Sequence, residues 1–314
     1  MKDLRRDSKS VQTLHLAAYV EAEYPTWLDE YLDGKGDSGY DSFLHLLWDF
    51  AHRHGFGRRV ACPSMLKQKV LEQTQLECAA DFWNEFDNYE PRTIFNVDET
   101  GIYFDMTNSR TWARKGESSK TDKSQKHSDR MTAVLTIAAD GSKHPILFIV
   151  KGQQDGRIEQ DELATYPPGH SYAVQKNAWM DTRVWETYQR KILQNAVQEP
   201  SVVLVDNLDS HVSDKSVKFV EEKLLSTLVP LPKNSTSVCQ PLDVGVMGPF
   251  KSMLRREWVL EEIHRIRQGT NSVVLTAREK RLASIKRVIR VWEAFDAEVV
   301  MKSFRKAIPK VYKL

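Results

Sequence analysis

The chain has 314 residues, 41% hydrophobic and 28% charged, with a formal net charge of +2. That is length for one large domain with appendages, or for two, and no run of about 18 apolar residues is present to span a bilayer. The start, Met1-Lys2-Asp3-Leu4-Arg5, has no apolar stretch and predicts no secretory signal. Three scattered cysteines, Cys62, Cys78 and Cys239, without a CxxC pair, argue against a zinc knuckle or a disulfide framework and fit a reducing, intracellular compartment.

In chain order, residues 1–39 are polar and read as a poorly ordered leader, closing on the linker-like Gly34-Lys35-Gly36-Asp37-Ser38-Gly39. Phe43, Leu44, Leu47, Phe50 and Ala51 then recur at helical spacing, and glycine stops the helix in Arg53-His54-Gly55-Phe56-Gly57-Arg58-Arg59. A second helix is predicted over residues 63–88, through Leu66, Val70, Leu71, Leu76, Ala79, Phe82 and Trp83.

Thr93–Asp98 predicts a short apolar strand, with Gly101–Met106 as a further one. Met131–Ala138 and His144–Val150 predict two strands joined by the hairpin turn Asp140-Gly141-Ser142. Asp181 reads as the N-cap of a helix carrying Val184, Trp185, Tyr188, Ile192 and Leu193. The β-branched run Val202–Val205 has the form of a strand buried on both faces. A helix from Ser213, a strand at Leu228–Leu231, a helix after Asp243 and a last helix over 276–306 complete the chain. Hairpin strands followed by strand–helix alternation predict an α/β fold: a mixed sheet flanked by helices, in the order of the RNase H-like fold.

Two predicted strands end on aspartate: Asp98 closes Ile94-Phe95-Asn96-Val97-Asp98, and Asp206 closes Val202-Val203-Leu204-Val205-Asp206. Asp243 stands where a helix starts. A helix cap or a lysine partner accounts equally for Asp98 or Asp206 alone, and the N-cap role is the plainer account of Asp243 alone. Together, on elements that the fold makes neighbours, they form one acidic pocket. Two carboxylates about 4 Å apart repel by roughly 4 kcal/mol at an effective dielectric near 20. A divalent cation relieves this, and hard oxygen ligands favour Mg²⁺ or Mn²⁺ over zinc. Glu99 is not counted with them, because adjacent strand residues face opposite sides.

The words around the aspartates resemble those of DDE-type transposases of the pogo, Tigger and jerky kind, the group related to centromere protein B. Asn96-Val97-Asp98-Glu99-Thr100, then Val205-Asp206-Asn207 with His211, then Leu231-Pro232-Lys233-Asn234 with Gln240-Pro241-Leu242-Asp243-Val244-Gly245, are similar to that family's three aspartate motifs in order. Lys233 and Val244 depart from the family's usual proline and glutamine, and neither position supplies a ligand.

The resemblance implies a nuclear, DNA-cutting transposase working by two-metal phosphoryl transfer, with Asp98, Asp206 and Asp243 as catalytic residues holding two Mg²⁺ or Mn²⁺ ions. It also implies DNA as partner, a homodimer, and no membrane. Asn207, His211 and Gln240 are candidates for orienting the carboxylates; for His211 a backbone bond at a helix start is an equal reading. Arg53, Arg58, Arg59, Arg114 and Lys115 are candidate phosphate contacts, although a solvated hairpin loop accounts equally for the last two. In domains, this implies the leader at 1–39, a helix-turn-helix remnant at 40–88, a DDE catalytic domain at 90–265, and a basic helical C-terminal extension at 266–314. The alternatives are a domesticated or decayed, non-catalytic DNA-binding protein, and a generic nuclease of RNA–DNA hybrids. From Pro249 onward, 16 Lys/Arg stand against 7 Asp/Glu, which fits either DNA reading or a solvated helix face.

Overall fold

The structure, a computed structural model, describes residues 11–57, 67–106, 129–269 and 275–310. The chain divides into two compact units, residues 1–70 and 71–314.

The first unit holds three helices, α1 (Thr13–Glu23), α2 (Pro25–Asp33) and α3 (Gly39–Arg53), around a small core of Ala17, Leu28, Phe43 and Leu47. Proline at the first position of α2 is suited to a helix start, where its missing N–H costs nothing. The leader expected at 1–39 is therefore helical over 13–33. The sequence hid it because the apolar residues of α1 lie all around the helix and only Ala17 is buried. The linker-like glycines form a single 3₁₀ turn, Gly36–Ser38. Trp48 of α3, whose place on a helical apolar stripe predicts core packing, is 48% exposed.

The second unit is built on a six-stranded sheet: β1 (Ile94–Tyr103), β2 (Arg130–Ala138), β3 (Leu147–Lys151), β4 (Ser171–Gln175), β5 (Val202–Val205) and β6 (Thr227–Pro230), in spatial order β4-β3-β2-β1-β5-β6. Strand β2 runs antiparallel to β1 and β3, while β1, β5 and β6 are parallel, as are β3 and β4. Its core, β3-β2-β1-β5-β6 with one reversed strand, is the RNase H-like order. The two strands expected at 93–98 and 101–106 are one strand, β1, because β2 pairs continuously from Phe95↔Ala138 to Tyr103↔Arg130. Strand β4 has no counterpart in the sequence reading: Ser171-Tyr172-Ala173-Val174-Gln175 is short, half polar and at the sheet edge.

Alternation on the strands sorts the two faces. Phe95, Val97, Val203 and Val205 face a layer made by α5 (Thr182–Tyr188, extended by a π turn, Gln189–Leu193) and α6 (Asp214–Leu224). Ile94, Val202 and Leu204 face the opposite layer. That layer comprises α4 (Gln68–Phe86), the short α7 (Thr236–Cys239), the π turn Leu242–Val246 running into α8 (Met247–Arg267), α9 (Ala277–Ala294) and α10 (Ala297–Ala307). All four β5 residues are buried, as predicted for a central strand.

The helix expected as one piece over 276–306 is broken at Phe295-Asp296. Asp296 caps α10 by accepting from the Glu298 amide at 2.8 Å. Lys143, just after the β2–β3 turn, donates its ammonium to the last carbonyls of α9: Trp292 at 2.6 Å, Glu293 at 3.0 Å, and Phe295. Trp292 returns a bond from Nε1 to the His144 carbonyl at 3.0 Å. Gly141 opens that turn at φ 98°, and a Cβ there would meet Ala297 at 3.0 Å. The C-terminal helices are thus part of the sheet's core rather than an extension beyond residue 265. Likewise α4 belongs with this unit and α3 with the other, so the helix-turn-helix expected over 40–88 is not one module.

Lys143→Met would leave these α9 carbonyls without their cation. We expect a loss of about 1–3 kcal/mol, read as a lower urea midpoint with an unchanged slope.

Candidate active site

The site forms where β5 ends beside β1, which runs on past it to Tyr103. Their register is Asn96↔Leu204, and its continuation by two residues sets Asp98 level with Asp206. Both then face the α4–α8–α10 layer, the side on which Asp243 sits in the π turn before α8. Asn96 ties the three carriers together. It is fully buried in the otherwise apolar start of β1, Ile94–Val97, donates from Nδ2 to the Leu204 carbonyl of β5 at 3.1 Å, and accepts from the Leu242 amide at 2.9 Å. Gly245 sets how closely the Asp243 turn lies on α10: a Cβ there would stand 2.6 Å from Ser303 Cβ.

The carboxylates sense one another. Asp98 is held well above its usual range, first by burial, then by the charges of Asp243, Glu99 and Asp206, against one lowering bond from the Glu99 amide. Asp243 is also raised, by loss of hydration and by Asp206, although it is the most open of the three and is relieved by Thr236 and Lys251. Asp206 goes the other way. Burial would raise it, but the bond and charge of His211 and the Leu208 amide lower it.

His211 is buried, with Nδ1 2.7 Å from Asp206 Oδ1 and Nε2 3.1 Å from Glu99 Oε1, the latter placed for an ion pair rather than for an aligned hydrogen bond. Its ring centre lies 4.0 Å from that of Trp185. Burial alone would lower His211, yet the two carboxylates outweigh it and raise the ring from 6.5 to about 9. Among the described residues, the group whose potential ligand atoms gather within 4.8 Å of one another is Glu99, Asp206 and His211.

The other sequence candidates divide. Asn207 donates its side-chain amide to the Leu231 carbonyl, fixing the end of β5 to the end of β6. Gln240 is 1% exposed, and neither its Oε1 nor its Nε2 has a hydrogen-bond partner. Arg53 is exposed in the last turn of α3, in the other unit. Arg58, Arg59, Arg114 and Lys115 lie outside the described residues. Sequence reasoning missed Asn96, whose signal was a lone amide inside Ile94-Phe95-Asn96-Val97. It also missed the Glu99–His211 contact, because strand alternation gives the face of Glu99 but not what its side chain reaches beyond the end of β5.

The family model of the DDE superfamily endonucleases matches residues 128–304, more than half of the chain. The chain belongs to that family. Asp206 and Asp243 lie inside the matched residues, and Asp98 lies before them. Tigger transposable element-derived protein 4 of Mus musculus is 27% identical over 227 residues, covering 70% of this chain and 40% of that protein. CENP-B homolog protein 2 of Schizosaccharomyces pombe is 25% identical over 222 residues, covering 69% and 41%. The pogo, Tigger and centromere-related resemblance seen in the three motif words is thus borne out. The chain spans less than half the length of these relatives. Among solved structures, the Mos1 mariner paired end complex with Mn is similar at a TM-score of 0.46 and 13% identity, covering 96% of this chain and 76% of that one.

Asn96→Leu fills the same space without the amide. We expect it to destabilise the protein by about 1–3 kcal/mol for each buried backbone group left unpaired, measured by urea denaturation. A second prediction concerns pH. Because His211 is raised in the folded protein, its stabilisation is full below about 6.5 and is lost as pH rises through about 9. Asp98, also raised, acts in the same direction. Metal-free protein should lose about 3 kcal/mol over that interval, and His211→Phe should flatten the slope.

Proposed function

We propose that this DDE endonuclease is the catalytic part of a transposase-type enzyme that cuts DNA phosphodiester bonds and joins the freed 3′-hydroxyl to target DNA. The observation that carries the reading is Asp98, whose carboxyl is pushed up by burial and by three neighbouring carboxylates, Asp243, Glu99 and Asp206. Acid repulsion at the carboxyl end of β5 and the middle of the neighbouring β1 fits a site for divalent cations, and an all-oxygen donor set suits Mg²⁺ or Mn²⁺. Family membership supports the same chemistry.

In this reading Asp98, which senses both other aspartates, would hold two divalent ions together with Asp206 and Asp243. When bound, the ions neutralise charge on the phosphate and make the attacking oxygen a stronger nucleophile. The protein's own part is positioning: Asn96 keeps the three carriers in register, and the Leu208 amide and His211 hold Asp206 Oδ1. Arg53, Arg58, Arg59, Arg114 and Lys115 are proposed contacts to DNA phosphates. The nucleus is the proposed place of action and a homodimer the proposed assembly. In domains, residues 71–310 form the proposed catalytic unit.

The test is nicking of supercoiled plasmid in Mn²⁺ by the chain and by its Asp98→Asn, Asp206→Asn and Asp243→Asn variants. We expect each variant to lose at least about 100-fold in rate; the thermal midpoint should hold or rise in Asp98→Asn and Asp243→Asn, which remove a repelling charge, and fall in Asp206→Asn, which breaks the pairing with His211. Nicking at the original rate by any two of the three would sink the assignment.

A further inference from the structure

Glu99 and His211 stand beside the three aspartates without being among them, and with Asp206 they are the described residues whose ligand atoms gather within 4.8 Å. A cation held by these three is the first reading of such a group. The geometry opposes it. The two ring nitrogens of His211 diverge, Nδ1 facing Asp206 and Nε2 facing Glu99. A cation on either nitrogen gains one of the carboxylates and turns away from the other. Moreover, Asp206 Oδ1 already accepts from two donors, His211 Nδ1 at 2.7 Å and the Leu208 amide at 3.0 Å.

The histidine is itself held on a third side. Trp185 lies against its ring, and Trp185 Nε1 donates to Ser216 Oγ at 2.7 Å, an oxygen that also accepts from Gln189 Nε2 at 3.0 Å. Trp185, Gln189 and Ser216 are all buried. The ring plane is thus fixed from α5 and α6, and its edge is fixed from β1.

We infer that Glu99 and His211 are positioning residues for the acidic site: Glu99 holds the His211 ring, and His211 with the Leu208 amide holds Asp206 by Oδ1, leaving Oδ2 for the cation. This rests on reading Asp206 as a ligand. Consecutive residues of β1 then serve the site in two ways. Asp98 faces it directly, and Glu99, on the other side of the strand, reaches it through the histidine. Partners of this kind behind a ligand set its orientation, and removing one costs about 10–100-fold in metal affinity.

The experiment is a Mn²⁺ titration of the DNA-free protein followed by the electron paramagnetic resonance signal of free Mn²⁺, with thermal midpoints measured in parallel. Glu99→Ala and His211→Phe should each weaken binding by at least about tenfold. The double variant should bind no more weakly than His211→Phe alone, because Glu99 acts through the ring. Lys143→Met, which lowers stability without touching Glu99, His211 or Asp206, should leave Mn²⁺ affinity unchanged and so separate positioning from general destabilisation. If Glu99→Ala does not fold, Glu99→Gln takes its place in the cycle, with a smaller loss that vanishes in the His211→Phe background. Unchanged binding in the Glu99 variant, or losses that add in the double variant, would overturn the inference. Unchanged binding in Asp206→Asn would instead remove Asp206 from the ligands, a different failure.

Discussion

The buried side chain of Asn96 is the constraint on which the site depends. One amide reaches the backbone of β5 and the backbone at the start of the Asp243 turn, while its own strand delivers Asp98 two residues later. A buried amide with both ends satisfied is directional in a way that apolar contact is not. The surrounding residues, Ile94, Val202, Leu204 and Leu242, supply the adhesion but would tolerate a shift along the strand. The amide tolerates none, because a slip of one residue would turn Asn96 to the opposite face.

The acid cluster is therefore held together against its own charge. Asp98 is raised by burial and by its neighbours, and the surrounding fold bears that cost. Two devices limit it. Asp243 stays open to water and lies near Lys251, and Asp206 is matched by the His211 imidazolium. The most enclosed carboxylate is the one left unmatched, which is where a multivalent counter-charge gains most.

Much of this was legible beforehand. The β2–β3 hairpin, the buried β5 run, the Asp181 and Ser213 caps and the three aspartate words all depend on local chemistry, and local chemistry is what a sequence displays. What stayed hidden depends on distant partners. Strand β4 is too short and polar to stand out, and it exists because β3 offers it an edge. The α9–α10 break carries a capping aspartate at 296, but its cause is Lys143, some 150 residues earlier. The apolar stripe of Ile285, Ile289, Trp292, Phe295 and Phe304 marked a packed helix face in the sequence, but not which sheet it covers. His211 showed its place near Asp206, but not that Glu99 would meet it from the far face of β1.

The clamp of Lys143 on the end of α9 has a consequence for the order of events during synthesis. The first unit is contiguous and its three helices are complete by residue 53. The sheet of the second unit is complete by residue 230, but one of its faces stays bare until α8, α9 and α10 have been made. A ribosome adding on the order of ten residues per second leaves that apolar face uncovered for several seconds after the last strand has emerged. The acidic site shares that face, so its three carboxylates are held in place only after α10, which backs the Asp243 turn through Ser303, has left the exit tunnel.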